Sequence, residues 1–359
     1  MKLLKLQLEN FRSYSQHTHI FDPERNVTIL VGENGRGKTN FLEAIYLLSL
    51  GKSFRVNLHD DMVEWEKPYL RCNAEVSTRD DEAELEVFYS SSPTRRKNFK
   101  KNGVNLRHSD YFGSLPTVLF HPEDLNMLYL SPILRRQYMD VLLSQTNREY
   151  LQSLSKYKQV LKQRNALLHQ IRDARFKGQD VAVLLADLDA WDHEIALYGQ
   201  IIIAHRSAFI EFLEKELSGI YREISGGKEH TVAIYQSKVL DHYLERLTER
   251  RDVDILQAKT TRGPHRDDII FSIDGKEIGS AASRGEFRTL LLAIKLAEID
   301  YIRKHRKLNP VLLLDDVFSE LDPGRQAHLL EAIKDCQTII TTTELPTNCR
   351  KQDWDVLLY

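Results

Sequence analysis

The stretch Gly32-Glu33-Asn34-Gly35-Arg36-Gly37-Lys38-Thr39 decides the fold. It fits the phosphate-loop pattern G-x-x-x-x-G-K-[ST]. An apolar run, Val27–Val31, ends directly before it, and Phe41, Leu42, Ile45 and Leu48 recur at helical spacing directly after it. With glycine at about 7% of residues, the bare pattern arises by chance in roughly one chain of this length in a hundred. The spacing has a chemical reason. Gly32, Gly35 and Gly37 let the backbone wrap a β-phosphate with its N–H groups inward, and the following helix turns its N-terminus to the anion. Lys38 reaches the β- and γ-phosphates, and the Thr39 hydroxyl is placed to ligate Mg²⁺. The expectation is an ATP and Mg²⁺ site built on Gly32 through Asn40.

Bulk properties set the frame. A chain of 359 residues has room for two domains, or for one domain with a large insertion. Net charge is −2, so any basic surface must be local. Cys72, Cys336 and Cys349 are odd in number and scattered, which fits a reducing cytosol and gives neither a disulfide framework nor a metal cluster. Met1–Asn10 mixes lysines with leucines and lacks the apolar core of a signal peptide. No apolar run is long enough to span a membrane. These features predict a soluble, cytoplasmic protein.

Leu3–Leu8 alternates as a half-buried strand, and Tyr69–Tyr89 holds two or three more of an antiparallel sheet. Arg95, Arg96, Lys97, Lys100 and Lys101 cluster beside an Asn102-Gly103 turn, either as a solvated hairpin tip or as a contact for DNA phosphates. From Pro132 to about Phe176, and again from Val181 to Ile220, apolar residues recur at three, four or seven. Two helices of about 40 residues each would make an antiparallel arm about 60 Å long. Its first half carries eight Lys/Arg and two acids between Arg148 and Lys177; Gln179–Glu194 carries five acids and no Lys or Arg. Pairing within the hairpin is the plainer explanation, with DNA contacts by Lys156, Lys158, Lys162 and Arg164 as the alternative. From Thr261 onward α/β alternation returns. The expected division is a head of residues 1–120 and 261–359, split by a mainly helical lobe of residues 121–260 whose arm covers about 132–222.

The second half of the site follows the apolar strand Val311–Leu314. Asp315 at its end is placed for the Mg²⁺, and Asp316 for polarising the attacking water. Asp322 before Pro323 reads as a helix cap. Ser283-Arg-Gly285 opens another helix, where hydroxyl, free N–H groups and dipole favour an anion.

This order of motifs resembles the ABC-type ATPases of the SMC group. In detail it is similar to the RecF family, through Leu8-Glu-Asn-Phe-Arg-Ser-Tyr14, Phe120-His-Pro-Glu-Asp-Leu125, Gly263-Pro-His-Arg-Asp-Asp268 and Asp315-Asp-Val-Phe-Ser-Glu-Leu-Asp322. The match covers the whole chain, and the joint set is far more specific than any one motif. The resemblance implies an α/β fold: a P-loop ABC-type ATPase head, with a mixed sheet, flanking helices and an antiparallel β-subdomain, split by the helical insertion. It implies two heads closing on two ATP molecules, with Ser283, Gly285 and Asp322 of one subunit meeting the nucleotide of the other. It also implies slow, DNA-stimulated ATP hydrolysis, RecR and RecO as partners in loading RecA at single-stranded gaps, and roles at replication forks and in the SOS response. Arg12 is a candidate phosphate or base contact. Arg284 and Glu286 depart from the usual signature, Thr343 stands where a histidine is common, and Asp316 is one methylene shorter than the usual glutamate. No glutamine lies between Asp110 and Leu125. A carboxylate near triphosphate is unfavourable, so Glu286 is expected to turn towards Arg288 or another cation. Each departure points to a slow switch. The competing readings are a membrane transporter's ATPase subunit and the ATPase of a nuclease complex.

Overall fold

The strand Val27–Val31 sits inside a five-stranded sheet that is parallel throughout, ordered Trp354–Leu358, Val27–Val31, Thr338–Thr342, Val311–Asp315 and Thr117–Phe120. The structure, a computed structural model, describes residues 1–78, 81–227, 229–345 and 354–359; Cys349 falls outside them. Its central strands, Val311–Asp315 and Thr338–Thr342, are buried at every position, as sheets covered on both faces require. All five strands point the same way, so their carboxyl ends lie along one edge. Val31 pairs with Thr342, Thr341 with Asp315, and Leu314 with Phe120. That edge collects the phosphate loop, Asp315 and His121, the crevice where open α/β sheets bind ligands.

The helix Lys38–Leu50 is buried at every residue from Phe41 to Leu50. It packs against the parallel strands on one side and, on the other, against a six-stranded antiparallel sheet that includes Lys2–Phe11, Tyr69–Ser77 and Glu82–Ser90. A helix sandwiched this way needs no polar face. It nevertheless buries the Glu43 carboxylate completely. Arg12 neutralises it with a two-pronged ion pair at 2.7 and 2.9 Å, and Ser53 adds a hydrogen bond.

The chain forms two compact units. The first, which carries the parallel sheet, holds residues 1–125, 220–228 and 283–359; the second holds 126–219 and 229–282. The second unit thus reaches to residue 282, not to 260, because Asp268–Ile273 pairs with Thr231–Gln236 and Lys276–Glu277 in a three-stranded sheet of its own. The first helical stretch is two helices, Pro132–Thr146 and Arg148–Phe176. Asn147 leaves helical geometry, and its side chain caps the second helix by accepting the Tyr150 N–H at 2.9 Å. The longest helix, Ala182–Ser225, has 44 residues. Cross-contacts between Tyr150 and Arg206, Tyr157 and Gly199, and Arg164 and Asp192 fix the antiparallel register, since each pair of numbers sums to 356.

Arg164 follows the plainer expectation, pairing within the hairpin, and not the alternative of a DNA contact. Its side chain is fully buried, donating to Asp192 (2.6 Å), Asp254 (2.8 Å) and Thr260 (2.7 Å). A guanidinium walled in this way has no route to a DNA phosphate. Lys156, Lys158 and Lys162 do lie on the exposed side. The acids of the longest helix pair partly with Arg164 across the hairpin and partly with Arg251, which reaches Asp189 and Asp192. Removing one partner of a buried pair strands the other charge. Arg164→Met should therefore lower stability in urea unfolding by about 3–5 kcal/mol, while Lys162→Met should stay within about 0.5 kcal/mol.

Candidate nucleotide site

The phosphate loop joins the strand Val27–Val31 to the helix Lys38–Leu50. Gly37 takes φ +96°, a backbone region that side chains disfavour, and a Cβ there would meet the Ser13 hydroxyl at 2.8 Å. At Gly32 the constraint is close approach, because a Cβ would sit 2.4 Å from the Tyr359 carbonyl oxygen. Tyr14 donates its hydroxyl to the Gly37 carbonyl at 3.0 Å, which ties the first hairpin to the loop. The Lys38 ammonium donates to the Gly32 and Glu33 carbonyls at 2.6 and 2.8 Å, so it is held inside the loop. Glu33 and Arg36 form an exposed pair, and Asn40 turns to Ser13 and Arg55.

Across the sheet edge, the Thr39 hydroxyl donates to Asp315 Oδ1 at 2.8 Å, and the Thr341 hydroxyl donates to the same oxygen at 2.8 Å. Asp315 is 5% exposed. One buried carboxylate beside one hydroxyl fits Mg²⁺, which prefers one or two protein oxygens and completes its shell with phosphates and water. Among the described residues no cluster of three or more His, Cys, Asp or Glu could hold a metal by itself. Asp316 follows in the left-handed region at φ +51°, its N–H bonded to Thr341, while the Ser319 hydroxyl donates to its carbonyl.

His121 was not assigned a role from the sequence. It leaves the strand Thr117–Phe120 on the same edge, and its Nε2 lies 3.5 Å from Asp315 Oδ2. Its Nδ1 accepts the Glu123 N–H at 3.2 Å, so the ring proton belongs on Nε2, facing Asp315. The turn that holds His121 is anchored from beneath: Asp124 accepts the His121 N–H at 3.0 Å and faces Lys295 at 3.2 Å. Lys295 also pairs with Glu298 at 3.5 Å. Burial pushes the Glu298 carboxyl up to about 7, with Lys295 pulling down and Asp124 pushing up.

Arg12 differs from expectation. It stands in the turn after the strand Lys2–Phe11, and its guanidinium is taken up by Glu43. The helix start at Ser283 is a capping box: the Ser283 hydroxyl accepts the Glu286 N–H at 3.3 Å, and Glu286 accepts the Ser283 N–H at 2.6 Å. Glu286 thus turns back to its own helix start, where the Ser283 N–H meets it. Asp322 caps the helix Pro323–Ile333 by accepting the Arg325 N–H at 3.0 Å, which with the Arg325 guanidinium holds its carboxyl below the usual carboxylate pKa. Arg325 also donates to the Gly285 carbonyl and to Thr289, so one side chain gathers Gly285 and Asp322. Only adjacency to Asp322 in the sequence could have pointed to it.

The basic cluster at 95–101 divides between two faces because strand side chains alternate. Lys97 points inward to the Gly51 carbonyl and His59, and burial lowers its ammonium to about 8. Lys100 pairs with Glu86 at 2.7 Å and Arg95 with Asp60. Arg96 is exposed and hydrogen-bonds Asn98.

A parallel sheet with a phosphate loop and an acid at the ends of strands two places apart defines a P-loop ATPase head. The family model described as the RecF/RecN/SMC N-terminal domain matches residues 2–352. Relatives called DNA replication and repair protein RecF are 39% identical in Shouchella clausii (94% of this chain, 91% of that one) and 38% identical in Streptococcus equi subsp. zooepidemicus (96% and 92%). A structure of the recombination mediator protein RecF with ATP, described within the RecFOR pathway, superposes with TM-score 0.87 at 32% identity over 97% of this chain and 93% of that one. The Smc head domain of Pyrococcus furiosus matches at TM-score 0.52 and 18% identity over 95% of this chain and 89% of that one, a likeness of fold alone. The chain belongs to the RecF family.

Two measurements bear on the site. Thr39→Val and Asp315→Asn should each weaken ATP binding roughly 10- to 100-fold with Mg²⁺ and much less in chelator, as titrations with a fluorescent ATP analogue will read. Because the folded-state value for Glu298 lies above the ordinary 4.5, its contribution is present at low pH and lost as pH rises through about 7. Glu298→Gln should remove up to about 3 kcal/mol of the stability lost between pH 5 and 8 in denaturant unfolding.

Proposed function

We propose that this protein is a DNA-binding ATPase of recombinational repair that dimerises on ATP and dissociates after slow hydrolysis. The observation that carries the reading is the Thr39–Asp315 hydrogen bond, which joins the phosphate loop to the acid at the end of a strand two places away in the sheet. Lys38 and Thr39 hold the triphosphate and its Mg²⁺ with Asp315, and Asp316 polarises the attacking water. The loop residues Gly32 to Gly37 and Asn40 line the phosphates. Ser283, Gly285 and Asp322 read the nucleotide of the partner. The γ-phosphate then supplies contacts available only to the closed dimer, so its loss removes the differential affinity that holds the dimer. The relatives' printed names support repair and replication as the setting and name the RecFOR pathway. RecR and RecO are the partners we propose, with RecA as the protein loaded at gaps. No described helix is long and apolar enough to cross a membrane; we place the protein in the cytoplasm, on the nucleoid.

Light-scattering mass with Mg²⁺ and ATP, ADP or no nucleotide tests this. A doubled mass only with ATP, lost in Lys38→Met and in Ser283→Arg and strengthened by duplex DNA, is the expected result. A mass indifferent to ATP would sink the switch. Loss in Lys38→Met alone would leave Ser283 as a helix cap and nothing more.

A further inference from the structure

The string Gly263-Pro-His-Arg-Asp-Asp268 has no part in the nucleotide site. Its Pro264 and His265 wall a cleft of about 210 Å³ in the second unit, opposite Arg136, Asp140, Lys158 and Arg206. Three cations there meet one carboxylate. Asp140 is already engaged, accepting from Arg206 at 2.8 Å and from the Tyr150 hydroxyl at 2.6 Å, with Lys158 at 3.5 Å. Arg206 is 2% exposed and spends another N–H on the Pro264 carbonyl at 2.7 Å.

Arg136 differs from its neighbours. It donates one N–H to the Asp267 carbonyl at 2.6 Å, and among the described residues no carboxylate pairs with it. The two nearest acids are occupied: Asp268 takes both prongs of Arg135 at 2.7 and 2.8 Å, and the Tyr235 hydroxyl donates to Asp267 at 2.5 Å. Burial and Arg206 make its charge costly and, against the opposing pull of Asp268 and Asp267, hold its pKa below the ordinary guanidinium range. His265 brings no charge of its own. Its Nε2 donates to the Thr260 carbonyl at 3.0 Å and its Nδ1 accepts from the Tyr157 hydroxyl at 2.6 Å, while burial holds it down to about 4. The cleft therefore carries a surplus of positive charge, with a guanidinium fork that still has N–H groups to give. Ile133 and Leu154 supply an apolar wall beside it.

We propose that this cleft seats a phosphate ester of the nucleic-acid backbone, with Arg136 and Lys158 on the phosphate oxygens and the apolar wall against the sugar. The assignment rests on DNA being the ligand of this protein, as argued above. It gives the Gly263–Asp268 string a purpose: Asp267 and Asp268 orient Arg136 and Arg135, while Pro264 and His265 form the wall.

The test is anisotropy of a labelled single strand and a labelled duplex with the full chain, Mg²⁺ and a non-hydrolysable ATP analogue, between 50 and 200 mM salt. Wild type, Arg136→Gln and Lys158→Gln are compared. The Lys158 side chain is 63% exposed, so its loss leaves the fold intact. Each variant should bind several-fold more weakly and flatten the dependence of log K on log salt by about 0.7 for the single strand or about 0.9 for the duplex. Wild type that binds no DNA would overturn the DNA reading itself. Wild type that binds, with both variants matching its affinity and slope, would overturn the cleft alone. A second arm titrates inorganic phosphate calorimetrically into Lys38→Met, with and without Arg136→Gln. Heat that vanishes with Arg136, beside unchanged DNA affinity, would overturn the nucleic-acid source and leave free phosphate as the occupant.

Discussion

The hydrogen bond from Thr39 to Asp315 spans 276 residues of chain and closes the edge on which this head is organised. It forms because five strands run parallel and end together. Parallel strands need long crossovers, so the residues that meet at the edge must come from distant segments. The phosphate loop arrives after the second strand of the sheet, Asp315 after the fourth and His121 after the fifth. Each is fixed by its strand and not by its own loop. Asp315 receives hydroxyls from both sides and His121 from below, so its two oxygens are oriented before any metal arrives.

Both units also bury charge, and both set it against opposite charge. Glu43 sits inside a helix covered on two sides, and Arg12, Ser53 and Arg55 surround it. Arg164 sits in the middle of the helical hairpin, met by two aspartates and a threonine. Such pairs add little net stability over apolar packing, but they admit one arrangement only. The antiparallel register of the hairpin is therefore marked by a polar contact as well as by its apolar seam.

How much of this was legible follows from the range of each signal. The phosphate loop, the strand ending in Asp315 and the caps at Ser283 and Asp322 are local patterns with local causes, and the structure forms each at its expected residues. The break at Asn147 was missed because apolar spacing runs straight through it; only a cap residue marks it. Arg12, and Arg164 under the alternative of a DNA contact, read as cations free for phosphate because nothing near them in sequence reveals which distant aspartate or glutamate they meet. His121 and Arg325 give as little signal: His121 meets Asp315 194 residues away, and Arg325 meets Thr289 36 residues away, though its bond to Asp322 is local. The lobe boundary shifted from 260 to 282 because pairing of Asp268–Ile273 with Thr231–Gln236 is a tertiary fact, invisible to alternation counts.

Arg325 has a further consequence. By holding the Gly285 carbonyl, the Thr289 hydroxyl and the Asp322 carboxylate together, it joins the starts of two helices that would otherwise fluctuate separately. Immobilising a flexible side chain at an interface costs about 0.5–1.5 kcal/mol, and ordering a loop adds to that. Here the ordering is met during folding, within one subunit, before any encounter. In the dimer proposed above, a surface so arranged spends little entropy when it meets the partner's nucleotide, and a single phosphate then tips the association balance.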